Sequence, residues 1–146
     1  MKYKYDDGGR HAAGFTGQTG DCCCRAVAIC TERPYRDVYV EMKAFAKNNE
    51  TKTRIKNGGQ STVRMGYHTT TLRKYMLSLG WKWTPTMYIG QGCKVHLKDG
   101  EIPMNERVLC CVSKHFVAVV DGVIHDNHNP QRNGTRCVYG YYTKPQ

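Results

Sequence analysis

The 146-residue chain lacks several features that would assign it to a class at once. No apolar run approaches the ~20 residues that a membrane-spanning helix needs, so we expect no membrane partner. Residues 1–10 are polar and rich in tyrosine, without the apolar core of a secretory signal, so a cytoplasmic protein is expected. The chain also has no internal repeat and no low-complexity segment. Its length predicts a single domain over residues 1–146.

Acidic residues are few. The chain has 12 Asp and Glu but 22 Lys and Arg, which gives a formal net charge of +10. An excess of this size favours acidic partners such as nucleic acid or an acidic protein surface. The stretch 48–66 carries several cations and glycines, and we expect a basic mobile loop there. Two interpretations stay open: a solvated loop, or a site over 47–64 that binds nucleic acid or a host protein.

Cysteine is abundant, with eight residues, yet no two of them have the C-x-x-C spacing typical of structural zinc sites. Three are consecutive and no export signal is visible, so a disulfide framework is not expected. We predict that most are small buried core residues, and we expect no metal and no cofactor. A zinc protein is the weakest alternative; it would need several cysteines to converge with histidines: Cys22, Cys23, Cys24, Cys93, Cys110 and Cys111.

The stretch that organises the chain is 19–30, in which turn residues give way to a short apolar helix. Asp21 is suited to cap this helix, because its carboxylate can accept amide protons of the first turn. Cys22 then lies at the first helical position, where free backbone N–H groups and the helix dipole favour the thiolate. Arg25 can lower the thiol pKa as well, although an ion pair or a packing role explains it equally well.

The order of predicted elements indicates the fold class. Helical periodicity predicts helices over 22–31, from residue 34 to about 47, and from about 69 to 79, after an irregular arm over 1–20. The last third of the chain consists of apolar strand-like runs separated by turn residues. We therefore predict an α+β domain in which N-terminal helices pack on a C-terminal antiparallel sheet.

The dipeptide Asp121-Gly122 predicts a two-residue hairpin turn, which fixes the register of the strands beside it. Alternation of side chains then places His115 and Asp126 on one face and turns Asn127 away. A cysteine nucleophile needs an imidazole to take its proton and a third group to hold that imidazole. We predict a triad of Cys22 as nucleophile, His115 as general base and then acid, and Asp126 as orienter.

The chain resembles known proteins at two levels. A helix-borne cysteine followed by a sheet with His on one strand and Asp on the next resembles the papain-like cysteine peptidase fold. The chain is also similar to a family of small phage and prophage proteins with a G-D-C-x-x-R-A motif, over nearly its whole length. The stretches that carry this similarity are 13–15, 19–22, 25–26, 113–115, 121–126 and 136–141.

The papain-like resemblance implies a peptidase, isopeptidase, amidase or acyltransferase that forms a thioester on its cysteine. Enzymes of this class usually place an oxyanion-hole glutamine six residues before the nucleophile. Gln18 lies six residues before Cys24 but four before Cys22. We favour Cys22, with its backbone N–H as one oxyanion donor and Gln18 or Thr19 as the second. Cys24 stays the alternative nucleophile.

The expected function is therefore a thiol-dependent hydrolase or acyltransferase, encoded by a phage or prophage. Its expected partner is a protein or peptide substrate of the bacterial host. The alternative is a catalytically inactive papain-like binding module whose basic surface holds a host protein or nucleic acid.

Overall fold

In a computed structural model the chain forms three helices and a six-stranded sheet over the described residues, 1–17, 20–50, 60–64 and 66–145. Within these residues, no helix has both the length and the apolar character needed to cross a membrane. The helices are α1 (Cys22–Thr31), α2 (Tyr35–Asn49) and α3 (Thr69–Ser78). The strands are β1 (Lys2–Tyr5), β2 (Lys82–Pro85), β3 (Arg107–Val112), β4 (His115–Val120), β5 (Val123–Asp126) and β6 (Val138–Thr143).

The strand order is β1-β5-β4-β3-β6-β2, and every neighbouring pair is antiparallel except β1 with β5. The α+β class is therefore confirmed. The expectation of a wholly antiparallel sheet is wrong, because β1 joins the edge as a parallel partner of β5.

The same strand corrects the expectation of an irregular arm over residues 1–20. Lys2 pairs with Val123, and the pairing continues until Tyr5 meets Asp126. The strand has only four residues and is mostly exposed, and its alternation of lysine and tyrosine is too short to distinguish a strand from an irregular segment. Its position places the N-terminal segment beside the end of β5, where the Asp6 backbone N–H donates to the Asp126 carbonyl.

The hairpin between β4 and β5 has the predicted turn. Asp121 and Gly122 both have positive φ, 49° and 77°, as the type I′ two-residue turn requires. The predicted register is confirmed, with Ala118 opposite His125 and Val119 opposite Ile124.

The central strands distribute their side chains between two hydrophobic clusters. Leu109, Phe116 and Ala118 belong to the cluster that contains α1, whereas Val117 and Val119 belong to a second cluster without helical members. Every residue of α1 from position 23 to 30 is buried. The helix is therefore enclosed on all sides and not only along the one stripe that its sequence indicates.

The basic loop expected over 48–66 lies only partly within the described residues. Its first two residues complete α2, and Thr62 forms an antiparallel bridge with Gly66. Residues 51–59 and Met65 lie outside the described ranges. The basic-site interpretation over 47–64 therefore stays a prediction.

A disulfide joins Cys93 to Cys137, with Cα atoms 5.9 Å apart, so the expectation of no disulfide is wrong. The two cysteines meet because an isolated bridge pairs His96 with Cys137 at the start of β6. This pairing spans 44 positions and leaves no local sequence signal. Five of the remaining six cysteines are buried, as predicted: Cys23, Cys24, Cys30, Cys110 and Cys111.

Candidate active site

Three elements bring the predicted triad to one end of the sheet. α1 begins with Cys22, β4 begins with His115, and β5 ends with Asp126. Because β4 and β5 are antiparallel, the start of one strand lies beside the end of the other. The first residue of α1 reaches this end, where its thiol contacts the His115 ring and the Phe116 backbone.

The imidazole of His115 lies between the other two groups. Its Nε2 is 2.6 Å from Asp126 Oδ2, and both residues are buried. This bond leaves Nδ1 as the ring nitrogen available to the Cys22 thiol, whose hydrogen-bonding and charge interaction with the ring raises the His115 pKa. Cys22 itself is half-buried, so a reagent can approach its sulfur.

The pKa values of the thiol and the imidazole shift in opposite directions. Burial alone raises the pKa of Cys22, but the hydrogen bond and charge of His115 act against it, and the Phe116 backbone and Arg25 assist. The Cys22 pKa therefore falls below the ordinary 9.0. Burial alone lowers the pKa of His115, but hydrogen bonds to Asp126 and Cys22 raise it to about 9. These shifts favour a thiolate–imidazolium pair near neutral pH.

Cys24, the alternative nucleophile, does not share this environment. It is fully buried, and its side chain hydrogen-bonds to Tyr35 and not to His115. Burial raises its pKa to about 12. The geometry therefore does not support Cys24. Burial also raises the pKa of Cys30 and Cys111 to about 12, and it raises the pKa of Cys23 and Cys110 well above the ordinary value.

Arg25 connects the orienter to the start of α1. Its Nη1 donates to Asp126 Oδ1 at 3.2 Å, and its Nε donates to Asp21 Oδ1 at 3.0 Å. Asp21 was expected to cap α1, yet its carboxylate makes no capping hydrogen bond, because it accepts from Arg25 and from Tyr35 Oη at 2.6 Å. Arg10 Nε lies 3.1 Å from the same carboxylate. Arg10 and Tyr35 were missed from sequence, because their contact with Asp21 is made only in the folded chain.

Asp126 is held as a carboxylate. Burial alone raises its pKa, but the hydrogen bond and charge of His115, with a hydrogen bond from the Asn127 backbone N–H, lower it. The Asn127 N–H donates to Oδ1 at 2.7 Å. A permanently charged acceptor keeps a proton on His115 Nε2 and so fixes the ring orientation.

Of the predicted oxyanion donors, only the Cys22 backbone N–H lies within the described residues. The first turn of α1 has no side-chain cap, so its amide protons face no competing acceptor from the Asp21 side chain. The Cys22 backbone N–H is part of that turn. Gln18 and Thr19, predicted as the second donor, lie outside the described residues.

Among the described residues, one group of side chains is spaced for a metal ion: His115, Asp126 and His128, with ligand atoms within 4.8 Å of one another. His115 Nε2 already bonds to Asp126, and the Arg25 guanidinium lies 3.2 Å from the same carboxylate. A fixed cation at that distance opposes a second one. The zinc alternative required convergent cysteines, and Cys93 is instead bonded to Cys137.

A groove of about 510 Å³ opens beside Cys22 and His115. Its lining includes Lys114 of the β3–β4 turn together with Thr62 and His68. No local sequence pattern indicates this groove, because the residues that line it come from segments about 50 positions apart in the chain.

No family model, curated protein or solved structure matches the chain. The chemistry of the site is therefore inferred from its own geometry.

Proposed function

We propose that the protein is a thiol-dependent hydrolase or acyltransferase of the papain-like type, acting on amide or isopeptide bonds. The observation that carries this proposal is the contact of a half-buried thiol of lowered pKa with an imidazole that a buried carboxylate orients. Nucleophile, base and orienter are the three parts that covalent catalysis by a cysteine requires.

The proposed reaction has two steps. The Cys22 thiolate attacks the carbonyl carbon, and the oxyanion that forms is stabilised by the amide protons at the start of α1. The C–N bond then breaks, the leaving amine takes the proton from His115, and the acyl group remains on sulfur as a thioester. In the second step His115 takes a proton from water or an acceptor amine, which attacks the thioester and restores the thiolate as the acyl product leaves.

The proposed substrate is a protein or peptide of a bacterial host, and the proposed setting is the cytoplasm of a cell that carries a phage or prophage. The Cys93–Cys137 disulfide is atypical of this setting, because disulfides are rare in the cytosol. Disulfide formation does not involve Cys22, so the proposed chemistry holds whether or not this bond is reduced.

An acyl-transfer assay tests the proposal without knowledge of the natural substrate. Incubation with p-nitrophenyl acetate is expected to release a burst of p-nitrophenol and leave an acetyl thioester on Cys22, mapped by mass spectrometry. Cys22→Ser removes the burst, and Cys24→Ser, the matched control, retains it. Acetyl groups spread over several cysteines, or a burst that survives in Cys22→Ser, would contradict the proposal.

The net charge of +10 favours a second candidate, the inactive module that binds an acidic partner. Binding through phosphates weakens steeply as salt rises. Retention of the protein on RNA or DNA at low salt, with release at moderate salt, together with no acetyl burst, would favour this candidate. Absence of such retention would remove its nucleic-acid form.

A further inference from the structure

Among the described residues that line the groove beside the nucleophile, Lys114 is the exposed lysine. Lys114 belongs to the two-residue turn between β3 and β4, where it has a φ of 55°, and it directly precedes His115. Val112 and His115 are paired across this turn, so the backbone of Lys114 is held beside the reactive imidazole. Lys114 lines the groove together with Cys22.

The described lining of the groove carries the ammonium group of Lys114 and no carboxylate to balance it. Its ionisable lining among the described residues consists of Lys114, the imidazoles of His68 and His115, two cysteines and Tyr67, with no carboxylate. The residues outside the described ranges contain no Asp or Glu either, so none of them can add one.

The two carboxylates that interact with groove-lining histidines already have partners. Glu50 accepts from the Ser61 backbone N–H at 2.6 Å and from the Thr71 hydroxyl. Asp126 accepts from His115 and Arg25. Neither carboxylate is placed among the groove residues, so neither neutralises Lys114 there.

We propose that the groove selects substrates that carry a carboxylate close to the scissile bond, and that Lys114 is the residue that recognises it. The inference rests on the proposed function, because it assigns specificity to the same nucleophile. An acidic peptide fits this chemistry. Its side-chain or terminal carboxylate can pair with the ammonium group while the carbonyl carbon of the scissile bond approaches Cys22. The net charge of the chain adds long-range attraction for the same class of ligand.

Two small alkylating reagents isolate the effect of charge from the effect of shape. Iodoacetate and iodoacetamide react with a thiolate in the same way: sulfur attacks the methylene carbon, and the C–I bond breaks as iodide leaves with the electron pair. Only iodoacetate carries a carboxylate. The ratio of their rates at Cys22, measured by mass spectrometry at low salt, therefore reports the preference of the groove for a negative charge.

We expect the ratio of the iodoacetate rate to the iodoacetamide rate at Cys22 to be about threefold lower in Lys114→Gln than in the wild-type protein, as suits an exposed, solvent-screened ion pair. Lys114→Glu lowers the ratio further, and high salt reduces the difference between these proteins. Lys82→Gln is the matched control, because Lys82 is an exposed lysine on β2, at the far edge of the sheet, and its loss should leave the ratio unchanged.

The possible failures are distinguishable. If Cys22 reacts rapidly with iodoacetamide but the ratio is the same in Lys114→Gln and Lys82→Gln, the specificity assignment is overturned and the proposed function stands. If Cys22 reacts no faster than a denatured thiol with either reagent, the proposed function is overturned, and the specificity assignment with it.

Discussion

At the scale of single residues, the site depends on the interaction between a thiol and an imidazole that each stabilise the charged form of the other. Burial acts against both charges, and the contact between Cys22 and His115 outweighs it. Asp126 contributes through the imidazole, because its carboxylate stabilises the imidazolium and fixes which nitrogen faces the thiol. Removal of any one group should therefore change the titration of its neighbours.

The first prediction concerns the pH dependence of Cys22 alkylation. In the wild type the rate should rise with pH through an inflection below 9.0, because the thiol pKa is lowered. His115→Gln removes the largest lowering contact, so burial dominates and the inflection moves above the wild-type value. At neutral pH the iodoacetamide rate is expected to fall several-fold, because a smaller share of the thiol is ionised. An unchanged inflection in His115→Gln would show that the imidazole does not control the thiol.

The second prediction concerns stability. The folded-state pKa of His115 is about 9, above its unfolded value of 6.5, so protonation stabilises the fold at low pH. This contribution is fully present below 6.5 and is lost as pH rises through about 9. The difference in free energy of unfolding between wild type and His115→Gln should therefore be larger by about 2–3 kcal/mol near pH 6 than near pH 10. Urea unfolding at both pH values measures it, and a difference that grows with pH contradicts the shift.

At the scale of elements, the site requires the β4–β5 turn to keep its geometry. A one-residue slip would rotate Asp126 to the opposite face of the sheet and separate it from His115. Gly122 is suited to this turn for two reasons: its φ is 77°, and an added Cβ would lie 2.7 Å from Met104 Cε.

The third prediction compares two glycines of similar φ. Gly122→Ala should lower the free energy of unfolding by about 1–2 kcal/mol from backbone strain, and further because Met104 must move. Gly90, with a φ of 83°, has no atom within 4 Å of an added Cβ, so Gly90→Ala reports the strain alone. Urea unfolding of both variants measures the difference. Equal losses would show that the Met104 contact has no effect on stability.

The fourth prediction concerns the disulfide. The Cys93–Cys137 bond closes a loop with a sequence separation of 44, so it should stabilise the fold by restricting the unfolded chain. Replacing both cysteines by serine is expected to lower the free energy of unfolding by about 2–4 kcal/mol. Wild type in reductant should match the double variant. Identical unfolding curves with and without reductant, in protein shown by thiol titration to hold the bond, would contradict the expected contribution.

The parts of the fold that follow from local sequence were predictable. Helical periodicity predicted α1, and Asp121-Gly122 predicted the hairpin and with it the approach of His115 to Asp126. Contacts between distant segments were not predictable. The alternating run of β1 is only four residues long and the strand gains its partner only when β5 is present, and Cys93 meets Cys137 across a long loop. The sequence predicts Asp21 as a helix cap because the hydrogen bond from Arg25 that occupies its carboxylate forms only in the folded core.

At the scale of the whole molecule, a group of buried charged side chains lies at one end of the sheet. A buried chain of ion pairs runs from Asp21 through Arg25 to Asp126 and on to His115. Breaking such a buried network from one side leaves a charge without its partner, which is costly. The network joins the start of α1 to the end of β5, so the fold that packs the core also sets the distance between base and nucleophile.

The most direct test of this account is the relative reactivity of the free cysteines in the folded protein. Labelling at neutral pH with isotope-coded iodoacetamide, quantified by mass spectrometry, is predicted to modify Cys22 at least about tenfold faster than any other cysteine. Exposure alone also favours Cys22, so the same measurement in His115→Gln and Asp126→Asn is decisive, and the excess should shrink in both. Uniform labelling, faster labelling of Cys24, or a Cys22 rate that neither substitution changes would contradict the central claim.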